Sequence, residues 1–116
     1  LDFSFTRLDR IRKSREYSLL KANGSVFKTR LLVFNYIASE RSKLGVIVTK
    51  KVGNSVFRNK VKRWIREVFR TEREKLNPSI DLVIIPRNSD LSYDAIKRDF
   101  VFFAGKYNGK NTNSVN

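Results

Sequence analysis

The chain is 116 residues long, 41% hydrophobic and 31% charged, and its 25 Lys and Arg against 11 Asp and Glu leave a formal charge of +14 at pH 7. That length supports one domain (1–116) with a modest core, and the charge selects a polyanion, a nucleic acid or an anionic membrane surface, with affinity that falls as salt rises. The absence of Cys and His excludes disulfide scaffolds, thiolate and imidazole metal sites and histidine acid–base chemistry; with no apolar run near the ~20 residues of a membrane span and no signal-peptide pattern, a cytoplasmic protein is expected.

Residues 1–13 are basic and weakly patterned. Ser14 can cap a short helix through residue 22 that presents Tyr17 and Leu20 and ends at Asn23-Gly24. A short strand fits 25–28. The run RLLVFNYI at 30–37 alternates Leu32, Phe34 and Tyr36 against Leu31, Val33 and Ile37, as a strand buried on both faces would. After a polar connection, LGVIVT at 44–49 is another strong strand, expected antiparallel to the first. The chain turns through Gly53, and a long basic helix follows with Asn54 or Ser55 as N-cap; it must stop by Leu76, because Pro78 pushes Asn77 out of the helical region. IDLVII at 80–85 is a third clear strand, closed by Pro86. A last helix is expected over 91–107 on the stripe Ile96, Phe100 and Phe103, with Asp90 and Asp94 capping its start, and 109–116 reads as a polar, frayed tail. The order α-β-β-β-α-β-α predicts an α+β fold, a two-layer α/β sandwich of a small sheet and packed helices. If the strands around the basic helix are parallel, a right-handed crossover is the default.

The basic helix carries the functional signal. Residues 50–75 hold ten Lys and Arg against three Glu. At about 100° per residue Phe57, Val61, Trp64, Ile65 and Val68 fall on one side, which faces a core, while Asn59, Lys62, Arg63, Arg66, Arg70 and Arg73 gather within roughly 100° on the other. A charged helix face is ordinarily the solvated side of an amphipathic helix. Such a face mixes signs, however, whereas this one stacks like charges at i, i+3 and i+4, a cost of a few tenths of a kcal/mol per pair (~0.2–0.5) unless a polyanion neutralises them.

No self-contained active site is legible. The acids outside this helix, Asp2, Asp9, Glu16, Glu40, Asp81, Asp90, Asp94 and Asp99, are dispersed along the chain rather than clustered for two-metal catalysis, and Gly53 lacks the spacing of a phosphate-binding loop. No catalytic residue and no metal ligand is assigned to the protein. Tyr17, Phe34 and Tyr36 are candidates for stacking on unpaired bases, with core packing as the competing role; Trp64 is assigned to the core.

The segment Arg58-Asn59-Lys60-Val61-Lys62-Arg63-Trp64-Ile65-Arg66-Glu67 reads RNxxKRxxRE, and it resembles the signature of the protein subunit of bacterial ribonuclease P. The resemblance covers most of the chain, including KKVGNSV just before the motif, FNY at 34–36 and DLVIIPR at 81–87. It implies an RNA-catalysed endonuclease that removes the 5′ leader of precursor tRNA, with this chain as its small basic partner, and a fold similar to the second domain of ribosomal small-subunit protein five, with a left-handed β-α-β crossover that would overturn the default hand. It further implies that Lys50, Lys51, Asn54, Arg58, Asn59, Lys62, Arg63, Arg66 and Arg70 lie against the catalytic RNA. Tyr17, Lys21, Phe34 and Tyr36 would line a cleft for the leader. Lys21 departs from the family, which often has a second aromatic there, so attraction to phosphate would replace stacking. Mg2+ would be held mainly by the RNA and substrate, with one protein per RNA and no membrane contact. Two other classes fit parts of the chain: a structural or ribosomal RNA-binding protein without a processing role, and a basic helix on an anionic membrane or an acidic peptide.

Overall fold

Runs rich in β-branched and aromatic residues form the strands, and the stretches with three-to-four-residue apolar spacing form the helices. The structure is a computed structural model that describes residues 14–40, 42–76 and 79–115. The basic opening at 1–13 and the Asn77-Pro78 stop signal lie outside the described residues. In chain order the elements are α1 (Ser14–Asn23), β1 (Ser25–Lys28), β2 (Leu32–Ala38), β3 (Leu44–Val46), a 3₁₀ turn (Lys50–Val52), α2 (Ser55–Glu72), a second 3₁₀ turn (Arg73–Lys75), β4 (Ile80–Pro86) and α3 (Tyr93–Val115). This is the expected α+β order.

The sheet runs β1-β2-β4-β3. β2 pairs antiparallel with β1 and β4, and β3 pairs parallel with β4, opposite Leu82 to Ile84. β3 therefore runs antiparallel to β2, as expected, but does not pair with it, because β4 sits between them. Its sequence explains the central place, since Ile80, Leu82, Val83, Ile84 and Pro86 are all buried, as suits a strand covered on both faces. β3 also stops three residues early. Leu82 N–H donates to Lys43 O and Ile47 N–H to Ile84 O, and the next bond of that parallel ladder would need an N–H from Pro86, which has none.

One sheet face carries Leu32, Phe34, Leu44, Ile80, Leu82 and Ile84 into a single cluster with Val61, Ile65, Val68 and Phe69 of α2 and Ile96, Phe100 and Phe103 of α3. Aromatic rings lock the layers: Phe34 stacks on Phe103 with centroids 4.4 Å apart, and Phe69 meets Phe100 edge-on at 6.3 Å. The other register of the strands, with Val33, Asn35 and Val83, points to the opposite face. There α1 packs on β2, and its buried Leu20 lies outside the main cluster, as do Asn35 and Val83. Gly24 makes this docking possible. A Cβ at that position would come within 2.5 Å of Tyr36 O and 2.6 Å of Leu20 O, while its N–H closes α1 by donating to Leu20 O at 2.7 Å.

Helix ends differ from expectation in three places. α2 gives way to a 3₁₀ turn after Glu72, where Thr71 Oγ1 bonds back to the carbonyls of Glu67 and Val68 and weakens continuation. α3 is capped by Ser92, whose Oγ accepts from Ala95 N–H at 3.1 Å; Asp90 instead pairs with Arg30 at 3.4 Å. The backbone of α3 continues to Val115 rather than ending at Tyr107.

Candidate nucleic-acid interface

The loop before α2 is built to hold two lysines out. Val52 is buried and anchors the 3₁₀ turn, leaving Lys50 and Lys51 exposed beside the helix start. Gly53 takes φ 157° and ψ −167°, a conformation that side chains disfavour, and a Cβ there would stand 3.0 Å from the Phe57 ring. Asn54 then caps α2, its Oδ1 accepting from Phe57 N–H at 2.9 Å. Arg58 closes the loop: its Nη1 donates to Gly53 O at 3.0 Å, so this half-buried guanidinium fixes backbone as well as offering its remaining donors outward. Lys50, Lys51 and the free N–H groups of the first turn thus converge at the positive end of the helix dipole, an arrangement suited to phosphate.

Along the outer face, Asn59 and Arg63 are exposed and Lys62 and Arg66 half-buried. Lys50, Lys51, Lys62 and Arg63 have no ion-pair partner among the described residues. Arg70 differs. Its guanidinium grips Glu67 with two bonds, Nε at 3.1 Å and Nη2 closer, and that hydrogen bonding holds the Glu67 carboxyl below its ordinary range and the Arg70 guanidinium more firmly protonated. Arg70 therefore belongs to the expected surface by position, but its charge is compensated there. Trp64 lies at the rim of the core rather than inside it: half-buried, edge-on to Phe57 at 6.2 Å, with Lys60 Nζ 5.9 Å from its centroid. The sequence reading passed over that cation–π pair, although the i, i+4 spacing of Lys60 and Trp64 signals it.

The four residues expected around a leader cleft do not come together. Tyr17, half-buried, and Lys21, exposed, stand one turn apart on α1. Phe34 is 0% exposed and its face is occupied by Phe103, so it cannot stack on a base. Tyr36 shares that register and meets Phe103 and Tyr107 edge-on at 5.3 and 5.6 Å. Both rings belong to the core side, because strand alternation sends Val33, Asn35 and Ile37 toward the other face. The sheet face on which α1 packs carries that second set, with Asn35 its buried polar member.

A hard cation such as Mg2+ needs several oxygen ligands at once. Among the described residues no three acidic side chains gather, and Glu67, Glu72, Asp90 and Asp99 each face a cation. This donor set does not fit a resident Mg2+, and no helix among the described residues is long and apolar enough to cross a membrane.

Comparison with known proteins agrees at three levels. A family model described as Ribonuclease P matches residues 5–108. The chain is 36% identical over 99 residues to the ribonuclease P protein component of Thermotoga maritima, covering 84% of each. It is 41% identical over 109 residues to that of Clostridium botulinum, covering 86% of this chain and 97% of the relative. In three dimensions it is similar to the RNase P protein of Staphylococcus aureus, with a TM-score of 0.72 at 28% identity over 81% of this chain and 90% of that one.

Proposed function

The chain belongs to the ribonuclease P protein family, and from that premise we propose that it binds the catalytic RNA through the outer face of α2 and the 50–54 loop, and the 5′ leader of precursor tRNA along α1 and the sheet face beside it. The single observation that carries the first half is the cluster of uncompensated cations, Lys50, Lys51, Lys62 and Arg63, at and along the start of one helix. Asn54, Arg58, Asn59 and Arg66 complete that surface, and Arg70 borders it with its charge shared with Glu67. On the other side Tyr17 offers a ring and Lys21 a charge, so a single strand can stack and be neutralised together.

The protein supplies no acid, base or metal ligand to the scission. Its ammonium and guanidinium groups reduce the repulsion between two RNAs, which allows their phosphates to approach and to gather the Mg2+ that they hold themselves. One protein per RNA suffices for such a screen, and the assembly works in the cytoplasm with no membrane contact. The experiment is cleavage of a leader-containing precursor tRNA by the RNA subunit at low Mg2+, with and without the protein. Stimulation is expected; equal rates would refute the reading. A purely ribosomal role would instead show as co-purification with ribosomal subunits without such stimulation.

A further inference from the structure

Phe102 is 53% exposed in α3, and no other aromatic side chain among the described residues is as open. The fold makes little use of this ring. Phe27 lies 6.0 Å away between centroids, whereas the neighbouring Phe100 and Phe103 are fully buried in the core. The helix surface around it is basic: Arg98 stands one turn before and Lys106 one turn after, both exposed. Lys106 Nζ lies 5.5 Å from the Phe102 centroid and has no ion-pair partner among the described residues. Arg98 Nε is 3.7 Å from the Asp99 carboxylate, and its side chain remains 70% exposed. Gly105 falls on the same stripe, since positions 98, 102, 105 and 106 lie within about 100° of one another around the helix. Glycine is a poor helix former, yet a Cβ at Gly105 would meet nothing within 4 Å, so packing inside the protein does not require it.

Charge and position decide what covers this stripe. A second copy of the chain, itself of net charge +14, would set the cations of one stripe against those of the other. An RNA meets no such repulsion, because its phosphates take the cations and an unpaired base takes the ring. The stripe also continues the surface assigned to RNA on α2. Both helices cover one face of the sheet, joined by Phe69 against Phe100 and by Lys97 to Glu72 at 3.6 Å, while α1 packs on the opposite face. α2 borders β3, and Phe102 stands beside Phe27 of β1, at the far border of the same layer.

We propose that Arg98, Phe102, Gly105 and Lys106 form a second contact for the catalytic RNA, one that captures an unpaired nucleotide; the inference rests on the RNA-binding reading of α2. The base stacks on Phe102, its ribose lies along the shelf that Gly105 leaves bare, and the flanking phosphates meet Arg98 and Lys106. Stacking accepts any base, so the contact reads an unpaired position in the RNA shape rather than a sequence. Held at both borders of one layer, the RNA has its orientation fixed as well as its affinity raised.

The test titrates the full protein with its RNA subunit at fixed salt and maps protein-dependent protection of the RNA nucleotide by nucleotide. Phe102→Leu keeps an apolar helix former without a ring; it is expected to lower affinity about tenfold and to expose one unpaired position, leaving the other protections in place. Phe102→Trp is expected to retain both affinity and protection. Gly105→Gln fills the shelf with a better helix former, so it should raise the urea midpoint of the free protein and still lose the same protected position. Undiminished affinity in Phe102→Leu overturns the proposal, as does a Phe102→Trp variant that binds as weakly as Phe102→Leu. A loss seen only with leader-containing precursor, or a dimer of the free protein that Phe102→Leu dissolves, overturns it in favour of the leader or of a second copy. If Arg63→Ala weakens binding and Phe102→Leu does not, the α3 contact alone falls. A parent protein that does not bind the RNA subunit takes the α2 reading down with it.

Discussion

Arg63 and Arg70 lie two helical turns apart on α2 with the same formal charge, and removing each in turn should have different consequences. Arg63 is exposed with no ion-pair partner among the described residues, whereas Arg70 is held in a fork by Glu67. Each phosphate neutralised by a free cation contributes about 0.7–0.9 to the slope of log K against log salt. Between 50 and 200 mM salt, a fourfold change, that corresponds to about threefold in affinity per contact. Arg63→Ala should therefore weaken RNA binding at low salt and flatten the slope by nearly one, so that parent and variant converge by about threefold over that range. Arg70→Ala removes a charge already compensated and leaves Glu67 unpaired, so affinity falls through the freed carboxylate while the slope shifts by less than half as much. Filter-binding or fluorescence titration against the RNA subunit at four salt concentrations separates the two. Equal slope changes for both variants would refute the distinction between a bare and a compensated guanidinium.

Asn59→Glu places an acid at i, i+3 and i, i+4 to Lys62 and Arg63; it should stabilise the free helix by about 0.3–0.5 kcal/mol yet weaken RNA binding, and unfolding and binding titrations on one preparation check both signs. Gly24→Ala pushes a methyl into Tyr36 O and Leu20 O, which should cost about 1–3 kcal/mol in urea denaturation and reduce leader-dependent affinity more than affinity for the RNA subunit. Phe34→Leu should cost about 1–2 kcal/mol in stability and leave discrimination between leader and leaderless tRNA unchanged, as a core rather than a cleft residue requires. The depressed folded-state pKa of Glu67 contributes stability that is full above its ordinary value of 4.5 and is lost as pH falls through the lowered one; the urea midpoints of parent and Glu67→Gln should therefore differ at pH 7 and converge in acid.

What the sequence made legible follows from the range of each interaction. α2 was readable because its stripe and its Asn54 cap are local, and they appear where the spacing put them. The sides of β2 were not. With Leu32, Phe34 and Tyr36 on one register and Val33 and Ile37 on the other, both sets look buried, and only the packing of α3 decides which faces the main core. For the same reason aromatic character drew attention to Phe34 and Tyr36, while Asn35 between them was passed over. A single polar residue inside an apolar strand was the available signal. The neighbour of β3 was beyond reach because parallel pairing joins segments nearly 40 positions apart. Glu67 stood out only through its place in the motif; the fork to Arg70 supplies its physical reason.

The acids also explain how a chain of net charge +14 concentrates its binding. Glu72 bridges Lys75 and Lys97, tying α2 to α3, while Asp90 meets Arg30 and Asp99 meets Arg98. Each of these pairs lies away from the start of α2. Exposed ion pairs stabilise a fold by little, but each removes a cation from competition for phosphate; Lys21, Lys28, Lys60, Arg87 and Lys106 also stay without an ion pair among the described residues, and what sets Lys50 and Lys51 apart is the loop geometry that Gly53 and the Asn54 cap fix around them. A polyanion docking at the start of α2 therefore meets charge carried on a fixed backbone. Under the proposed RNA-binding reading, that coincidence favours one RNA shape over bulk nucleic acid, since charge without fixed geometry would bind every duplex alike.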